Sequence, residues 1–416
     1  VLTCFVLAAL LFTVRLADDG RAVDAGLAGV WTGLALGTKF SAILLALPLG
    51  MAWAVASKEG RLRRRYGLVS GGAALATFAL TNPFAVLNFP LFWRNVAEQA
   101  AIARGALPVP YTRQFHATWP YLYPVIQQLR WGMGWSVGVA TFGGLACAVW
   151  RATRELPRRA EWALLAWTLP YFAFFGALYA KFPRYLLPIT PLLALYGARL
   201  LGHPPCCLGT LSHRSGAWHP AFRLVFSFLP VFCLLLAFLR CLAFVEMYRV
   251  PHPWLTASGW FYEHAPEGAI IAVERWDHPL PLDSTGYDVR GLPIFDESTP
   301  EKETTMKAIL AQADYVVIAS RRGYATLTRM PERYPLAARY YELLFTGELG
   351  FEVVACFGRY PHLGALTLAD DPFAGLPFSL PGVCRRELSL VLSSGRLDES
   401  FVVYDHPMVM IFGRKA

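Results

Sequence analysis

Lys39 stands inside an apolar run that spans 24–56. A charged group at bilayer depth is costly, so it needs a partner, an aqueous cavity or a route for its ammonium to the headgroups. It reads either as a phosphate contact for a lipid-linked substrate or as a lysine ending a short helix, with its charge at the interface. A second cationic group, Tyr179-Ala-Lys181-Phe-Pro183-Arg184-Tyr185, falls between two apolar runs. Arginine offers a rigid donor fork and lysine a mobile charge, so Lys181 and Arg184 can clamp a phosphate. The alternative is interfacial anchoring by Lys181, Arg184 and Tyr185.

Between 91 and 130 lie Glu98, Arg104, Tyr111, Arg113, His116, Trp119, Tyr121 and Tyr123. Aromatic rings with a few charges can line a sugar or acceptor cleft at the membrane surface. An amphipathic helix over 92–104 followed by an aromatic belt accounts for the same residues. Glu98 and His116 are the titratable candidates, although no spacing rule links either to a reaction. Cys356 and Cys384 are free to pair if their compartment is oxidising. Cys206-Cys207, near His203 and His213, lack a zinc spacing and read as free thiols. His252, His264, His278, His362 and His406 are scattered, and Asp277, Asp283 and Asp288 read as loop residues. No metal site is predicted, no cofactor is called for, and a divalent cation is left open. No glycine-rich loop follows an expected strand, so a dinucleotide or P-loop site has no support.

These groups sit in a chain of 416 residues that is 55% hydrophobic and 16% charged, outside the range of ordinary soluble domains. Apolar runs occupy 1–16, 24–56, 67–90, 131–150, 161–180, 182–200 and 222–246. A crossing helix needs about 20 residues, which makes the first run and 182–200 short and leaves 24–56 open to one tilted helix or two meeting near Gly37-Thr38-Lys39-Phe40. The net charge of +9 divides unevenly: 1–246 holds 22 Lys/Arg against 8 Asp/Glu, and 247–416 holds 16 against 21. Much of the excess lies in two short segments, Lys58 with Arg61, Arg63, Arg64 and Arg65, then Arg151, Arg154, Arg158 and Arg159. The positive-inside rule explains them without nucleic acid and puts both on the cytoplasmic side. Counting crossings then places 91–130, 180–183 and all of 247–416 outside.

Residues 247–416 read as a compact α/β domain, with helices at Leu255–His264, Thr304–Ala313 and Tyr334–Gly347 and strands at Ala269–Val273, Tyr315–Ala319 and Phe351–Phe357. Phe401–Tyr404 and Met408–Phe412 flank Asp405-His406-Pro407, which reads as a tight hairpin turn. Val1 lies inside an apolar run with no initiating Met and no signal-peptide pattern, so further N-terminal helices are expected upstream.

Gly29-Val-Trp-Thr-Gly33-Leu-Ala-Leu-Gly37-Thr-Lys39-Phe-Ser-Ala resembles a helix segment of bacterial multispanning glycosyltransferases related to protein O-mannosyltransferases and the lipid A aminoarabinose transferase. Thr81-Asn82-Pro83-Phe84 and Phe182-Pro183-Arg184-Tyr185-Leu186-Leu187-Pro188 resemble later segments of that family. One bacterial branch is closer still, through Ala313-Asp-Tyr315-Val-Val-Ile-Ala-Ser320, Arg333-Tyr-Pro335, Arg339-Tyr-Tyr341 and Phe401-Val-Val-Tyr404-Asp-His406-Pro407. The resemblance implies a multispanning α-helical membrane protein of GT-C type with an extracytoplasmic C-terminal α/β domain. It implies an inner-membrane location and transfer of a hexose or related sugar from a polyprenyl-phosphate donor to a glycan, lipid or protein acceptor. Lys39 and Arg184 would serve the phosphate, and the 91–130 loop the cleft. The family's catalytic aspartate lies in its first extracytoplasmic loop. Asp18, Asp19 and Asp24 fall too late in the chain for that role, so the catalytic residue is unassigned. The competing classes are a transporter, for which no internal repeat is visible, and a nonenzymatic envelope-assembly protein.

Overall fold

The computed structural model describes residues 1–56, 60–155, 158–202, 220–384, 390–393 and 396–415. Lys58, the side chain of Arg61, Cys206-Cys207, His203 and His213 lie outside the described residues. The chain separates into two compact units: Val1–Leu107 with Thr118–Leu235, and Pro108–Ala117 with Leu236–Ala416.

The first unit is helical. Four helices open it: α1 Leu2–Asp19, α2 Ala22–Thr38, α3 Ala46–Ala56 and α4 Gly60–Thr81. Gly20 caps α1 in the left-handed region that glycine adopts without strain, its N–H reaching Leu16 O at 3.0 Å. The long apolar run breaks at Lys39, whose backbone is extended, with φ −157° and ψ 125°. A 3-10 turn over Phe40–Leu45 then leads into α3. A Cβ built on Gly20 would lie 3.5 Å from Ala56 O, so the second arm returns to the start of the first. Residues 24–56 are therefore two opposed arms with Lys39 at their tip. At 1.5 Å per residue the 17-residue α2 is about 26 Å long, close to the thickness of a hydrocarbon core.

Small residues let α4 lie directly on α2. A Cβ on Gly29 would stand 2.2 Å from Ser70 O, and one on Gly33 2.5 Å from Ala74 O. The same stripe ends at Gly37, where a Cβ would meet Asn82 Nδ2 at 2.3 Å, so close backbone packing carries Asn82 to the Lys39 tip. Gly29→Val is expected to force the two helices apart at a cost of at least 1–3 kcal/mol, roughly the range for overpacked cores. Gly50→Val, whose added carbon meets nothing within 4 Å, is the control. Thermal loss of helical circular dichroism in detergent would measure both, and equal midpoints would remove the packing argument.

The unit continues with α5 Pro83–Leu87, α6 Phe89–Arg104, α7 Leu122–Gln127, α8 Gly134–Ala152, α9 Arg159–Ala177 and α10 Thr190–Gly202. Arg159 donates from Nη1 to Ala17 O at 2.8 Å, and Tyr66 donates its hydroxyl to Gly20 O. Glu161 Oε1 accepts from Arg151 and Arg199, each at 3.0 Å. Both basic segments thus lie at the end of the unit that holds Asp18, Asp19 and Asp24, a helix length away from Lys39. The core between is aliphatic and aromatic, with Trp167, Tyr171 and Phe175 in succession along one side of α9. After α10 comes α11, Pro220–Glu246. Among the described residues, the stretch Phe228–His264 contains the one segment long and apolar enough, by length and composition, to cross a membrane as a single helix.

The second unit is a sheet flanked by helices. Strands β1 Ile270–Glu274, β2 Asp288–Leu292, β3 Tyr315–Ile318, β4 Phe351–Phe357 and β8 Val409–Arg414 form one sheet in the order β2-β1-β3-β8-β4. β1 runs parallel to both β2 and β3, and β8 runs antiparallel between β3 and β4. The helices are α12 Pro253–His264, α13 Pro300–Gln312, α14 Tyr324–Leu327, α15 Pro335–Thr346 and α16 Glu399–Val402. A small second sheet holds β5 His362–Leu363, β6 Leu366–Ala369 and β7 Leu390–Ser393. Near-continuous apolar runs in β1, β3 and β8 follow from burial of the sheet on both faces. Cys356 and Cys384 are disulfide-bonded.

The hairpin expected around Asp405-His406-Pro407 does not form. Asp398 caps a short helix, accepting from Ser400 N at 3.0 Å, and Val402 and Val403 turn into the core. The following strand finds two long neighbours, with Val317 opposite Ile411 and Phe351 opposite Arg414, instead of the short partner before it. Two paired edges bury more of Val409–Phe412 than one hairpin contact would.

Candidate lipid-phosphate cavity

A cavity of about 730 Å3 opens in the first unit around the Lys39 tip. Leu36 to Ser41 line one side, Phe78 and Asn82 come from the end of α4, and Phe174, Phe175 and Leu178 from the end of α9. One face of α6 closes it through Phe92, Asn95, Val96, Gln99, Ala100, Ala103 and Arg104. Those positions recur at three and four residues, as one stripe of a helix requires. Asn88 starts α6 by accepting from Leu91 N at 3.3 Å, and Gly105 ends it in the left-handed region. Beyond it, Ala180 N donates to Ala103 O at 3.0 Å, which fixes the loop carrying Lys181 to the helix.

The walls are mostly apolar, and no carboxylate lines them among the described residues. The Lys39 ammonium lies 4.2 Å from the Tyr185 ring centroid and 5.3 Å from that of Phe175. Ring faces hold a cation without neutralising it, so the charge stays available to an anion. Arg184 is close enough to repel Lys39 and is itself exposed, its guanidinium 4.3 Å from the Phe182 ring. The turn that carries Arg184 and Tyr185 is held by Gln128 Nε2, which donates to Pro183 O at 3.1 Å. Two cations without a carboxylate between them, beside an oily cavity, suit a group with an anionic head and a hydrocarbon tail.

The candidates read from the sequence fall in different places. Lys39 and Tyr185 line the cavity, and Arg184 stands beside Lys39. Lys181 is 3% exposed and directs its ammonium to Thr118 Oγ1 at 3.2 Å and Tyr179 O at 3.1 Å. Glu98 is exposed on α6, off the stripe that faces the cavity. His116 belongs to the second unit and is exposed there. Asn82, Asn95 and Gln99 also line the cavity and are not among the site residues expected from the sequence. The helical spacing of 92, 95, 96, 99 and 103 is the signal that marks the last two.

The second unit holds a separate buried polar cluster at the carboxyl ends of β1 and β3. Ser320 donates to Asp277 at 2.6 Å, Arg322 Nε to Glu399 at 2.8 Å, and Tyr341 to Glu274 at 2.7 Å. Burial raises Glu399 to about 7 against the pull of Arg322, and pushes Glu274 well above the ordinary carboxylate range. Glu399 N also donates to Gln114 Oε1 at 2.9 Å, and Arg113 Nη1 to Phe295 O at 2.9 Å. These bonds fasten Pro108–Ala117 into the unit, and their chemistry is that of a structural lock.

Residues 1–84 match the family model described as dolichyl-phosphate-mannose-protein mannosyltransferase. The matched stretch contains α1 to α4, and with them Gly37, Lys39 and Asn82 of the cavity. The match covers 84 of the 416 residues, so the likeness to mannosyltransferases is one of this stretch. No curated protein and no solved structure matches the chain.

Proposed function

We propose that the first unit binds a polyprenyl-phosphate sugar, with the phosphate at Lys39 and Arg184 and the first prenyl units in the cavity. The bound donor then gives its hexose to an acceptor at the extracytoplasmic face. The observation that carries this reading is Lys39 held against ring faces at the mouth of a mostly apolar cavity that no carboxylate lines among the described residues. The acceptor hydroxyl attacks the anomeric carbon, the bond from that carbon to the phosphate oxygen breaks, and the electron pair leaves with the lipid phosphate. Lys39 and Arg184 stabilise the charge that develops there. The acceptor's proton is taken up by the departing lipid phosphate, since no carboxylate lines the cavity among the described residues and Asp24 lies at the far end of α2. Asn82, Asn95 and Gln99 supply amides for sugar hydroxyls, and Lys181 positions the Tyr179–Tyr185 loop. Glu98 on α6 is the titratable group of the first unit proposed to meet the acceptor, and His116 is the corresponding candidate of the second unit.

The inner-membrane reading, with the second unit outside, is supported by the two basic segments lying together at the end opposite Lys39. A disulfide in the second unit supports it as well. The bacterial branch rests on the motifs of the second unit.

The test is binding of a short polyprenyl phosphate to the full chain, followed by transfer from a panel of radiolabelled polyprenyl-phosphate sugars. Lys39→Gln is expected to weaken binding of the phosphate by roughly ten- to a hundredfold, as loss of a charge-assisted contact does, while the matching polyprenol binds as before. Equal affinity of both variants for the phosphate would sink the assignment.

A further inference from the structure

At the basic end of the first unit, far from Lys39, a second pocket of about 620 Å3 lies between the start of α9 and the end of α10. Arg158, Glu161 and Arg199 line it together with Leu164, Leu195 and Tyr196. Glu161 spends a single oxygen on both Arg151 and Arg199, at 3.0 Å each, so the local charge stays positive even before Arg158 is counted. Tyr196 is 3% exposed, and among the described residues its hydroxyl has no hydrogen-bond partner. A buried O–H donor without an acceptor calls for one from a ligand.

We propose that this pocket binds the headgroup of an anionic phospholipid. Phosphate oxygens lie against Arg158 and Arg199, an ester or phosphate oxygen accepts from the Tyr196 hydroxyl, and an acyl chain follows Leu164 and Leu195. Basic pockets between helices at the positive end of a membrane bundle take such headgroups, because the cations attract the phosphate and the helices offer the chain an apolar track. The proposal rests on the first unit lying in a bilayer, but not on the sugar-transfer reading.

The full chain is reconstituted in phosphatidylcholine vesicles with a trace of spin-labelled phosphatidylglycerol or phosphatidylcholine, and the motionally restricted fraction of each label is measured. The expected result is about a fivefold preference for phosphatidylglycerol, falling below about twofold in Arg158→Ala. Tyr196→Phe is expected to lower the preference while leaving helical content and thermal midpoint in place, and Lys39→Gln is expected to leave it intact. Equal restriction of the two labels in the unmodified chain overturns the proposal. So does a preference that survives both Arg158→Ala and Tyr196→Phe, or one that Lys39→Gln abolishes. Displacement of the label by millimolar inorganic phosphate alone would make this a free-phosphate site and overturn the lipid assignment. The restriction of any label at all reports insertion, so failure of the membrane premise is read separately.

Discussion

Asp370→Ala is expected to destabilise the second unit by about 3–5 kcal/mol, the usual cost of stripping one partner from a buried ion pair. Arg321 follows β3 and Asp370 follows β6, so their pairing ties the large sheet to the small one. Their side chains are 8% and 2% exposed. Arg321 Nη1 pairs with Asp370 Oδ2, while Nη2 reaches Oδ1 at 3.1 Å, a two-pronged contact. Asp370 Oδ2 also accepts from Leu397 N at 3.1 Å, so its loss orphans a backbone donor as well. The guanidinium left behind is buried, and burial then opposes its charge. Replacing both members, Arg321→Met with Asp370→Leu, should recover the part of the loss that comes from the stranded charge, while the part that comes from the orphaned Leu397 N–H remains. Denaturant unfolding followed by near-ultraviolet circular dichroism measures both variants. A loss below about 1 kcal/mol for Asp370→Ala would mean that the pair is solvated, as surface pairs are.

Removing the Cys356–Cys384 bond should cost nearly as much. The two cysteines are 28 residues apart, and closing a loop of that length restricts the unfolded chain by about 3.6 kcal/mol in the chain-entropy account. Cys356 lies on β4, an edge of the large sheet, and Cys384 ends the short turn Gly382–Cys384. The bond therefore pins an outer segment to the sheet. The expected result is a fall of that size in unfolding free energy for Cys356→Ser with Cys384→Ser. An equal fall is expected for the unmodified chain in a phosphine reductant, and no reductant effect in the double variant. Cys4, Cys233 and Cys241 are free thiols, so alkylation before and after reduction should expose two additional thiols among these three and the bonded pair. Insensitivity of the unmodified chain to reductant would show that the bond contributes nothing to the fold.

Local sequence carried much of the architecture. Apolar runs long enough for a helix became helices because composition and the 3.6-residue period act within one segment, and the break near Lys39 was visible as glycine and a charge inside an apolar stretch. Phe351–Phe357 runs as a strand over the residues its β-branched and aromatic content indicated. What could not be read was pairing at a distance. The choice of β8 to lie between β3 and β4 depends on two partners far away in sequence, whereas the hairpin reading used only neighbours. Arg321 and Asp370 are separated by 49 residues, and nothing in either flank announces the other. At the cavity, Lys39 announced itself by its cost in an apolar run. Asn95 and Gln99 did not, because an amide on a surface helix is ordinary until the facing wall is known.

Pro108–Ala117 has a consequence for how the molecule is made. Its bonds into the second unit span 182 residues, from Arg113 to Phe295, and 285 residues, from Gln114 to Glu399. Contacts that distant close late and slowly, since the loop entropy is spent before they reward it. During synthesis this ten-residue segment emerges early and must wait, its partners unmade, until almost the last strand has been translated. Folding of the second unit therefore cannot be completed before Glu399 has been made. A ribosome stalled before Glu399 would leave a segment with no place to dock, exposed to any quality-control protease on its side of the membrane.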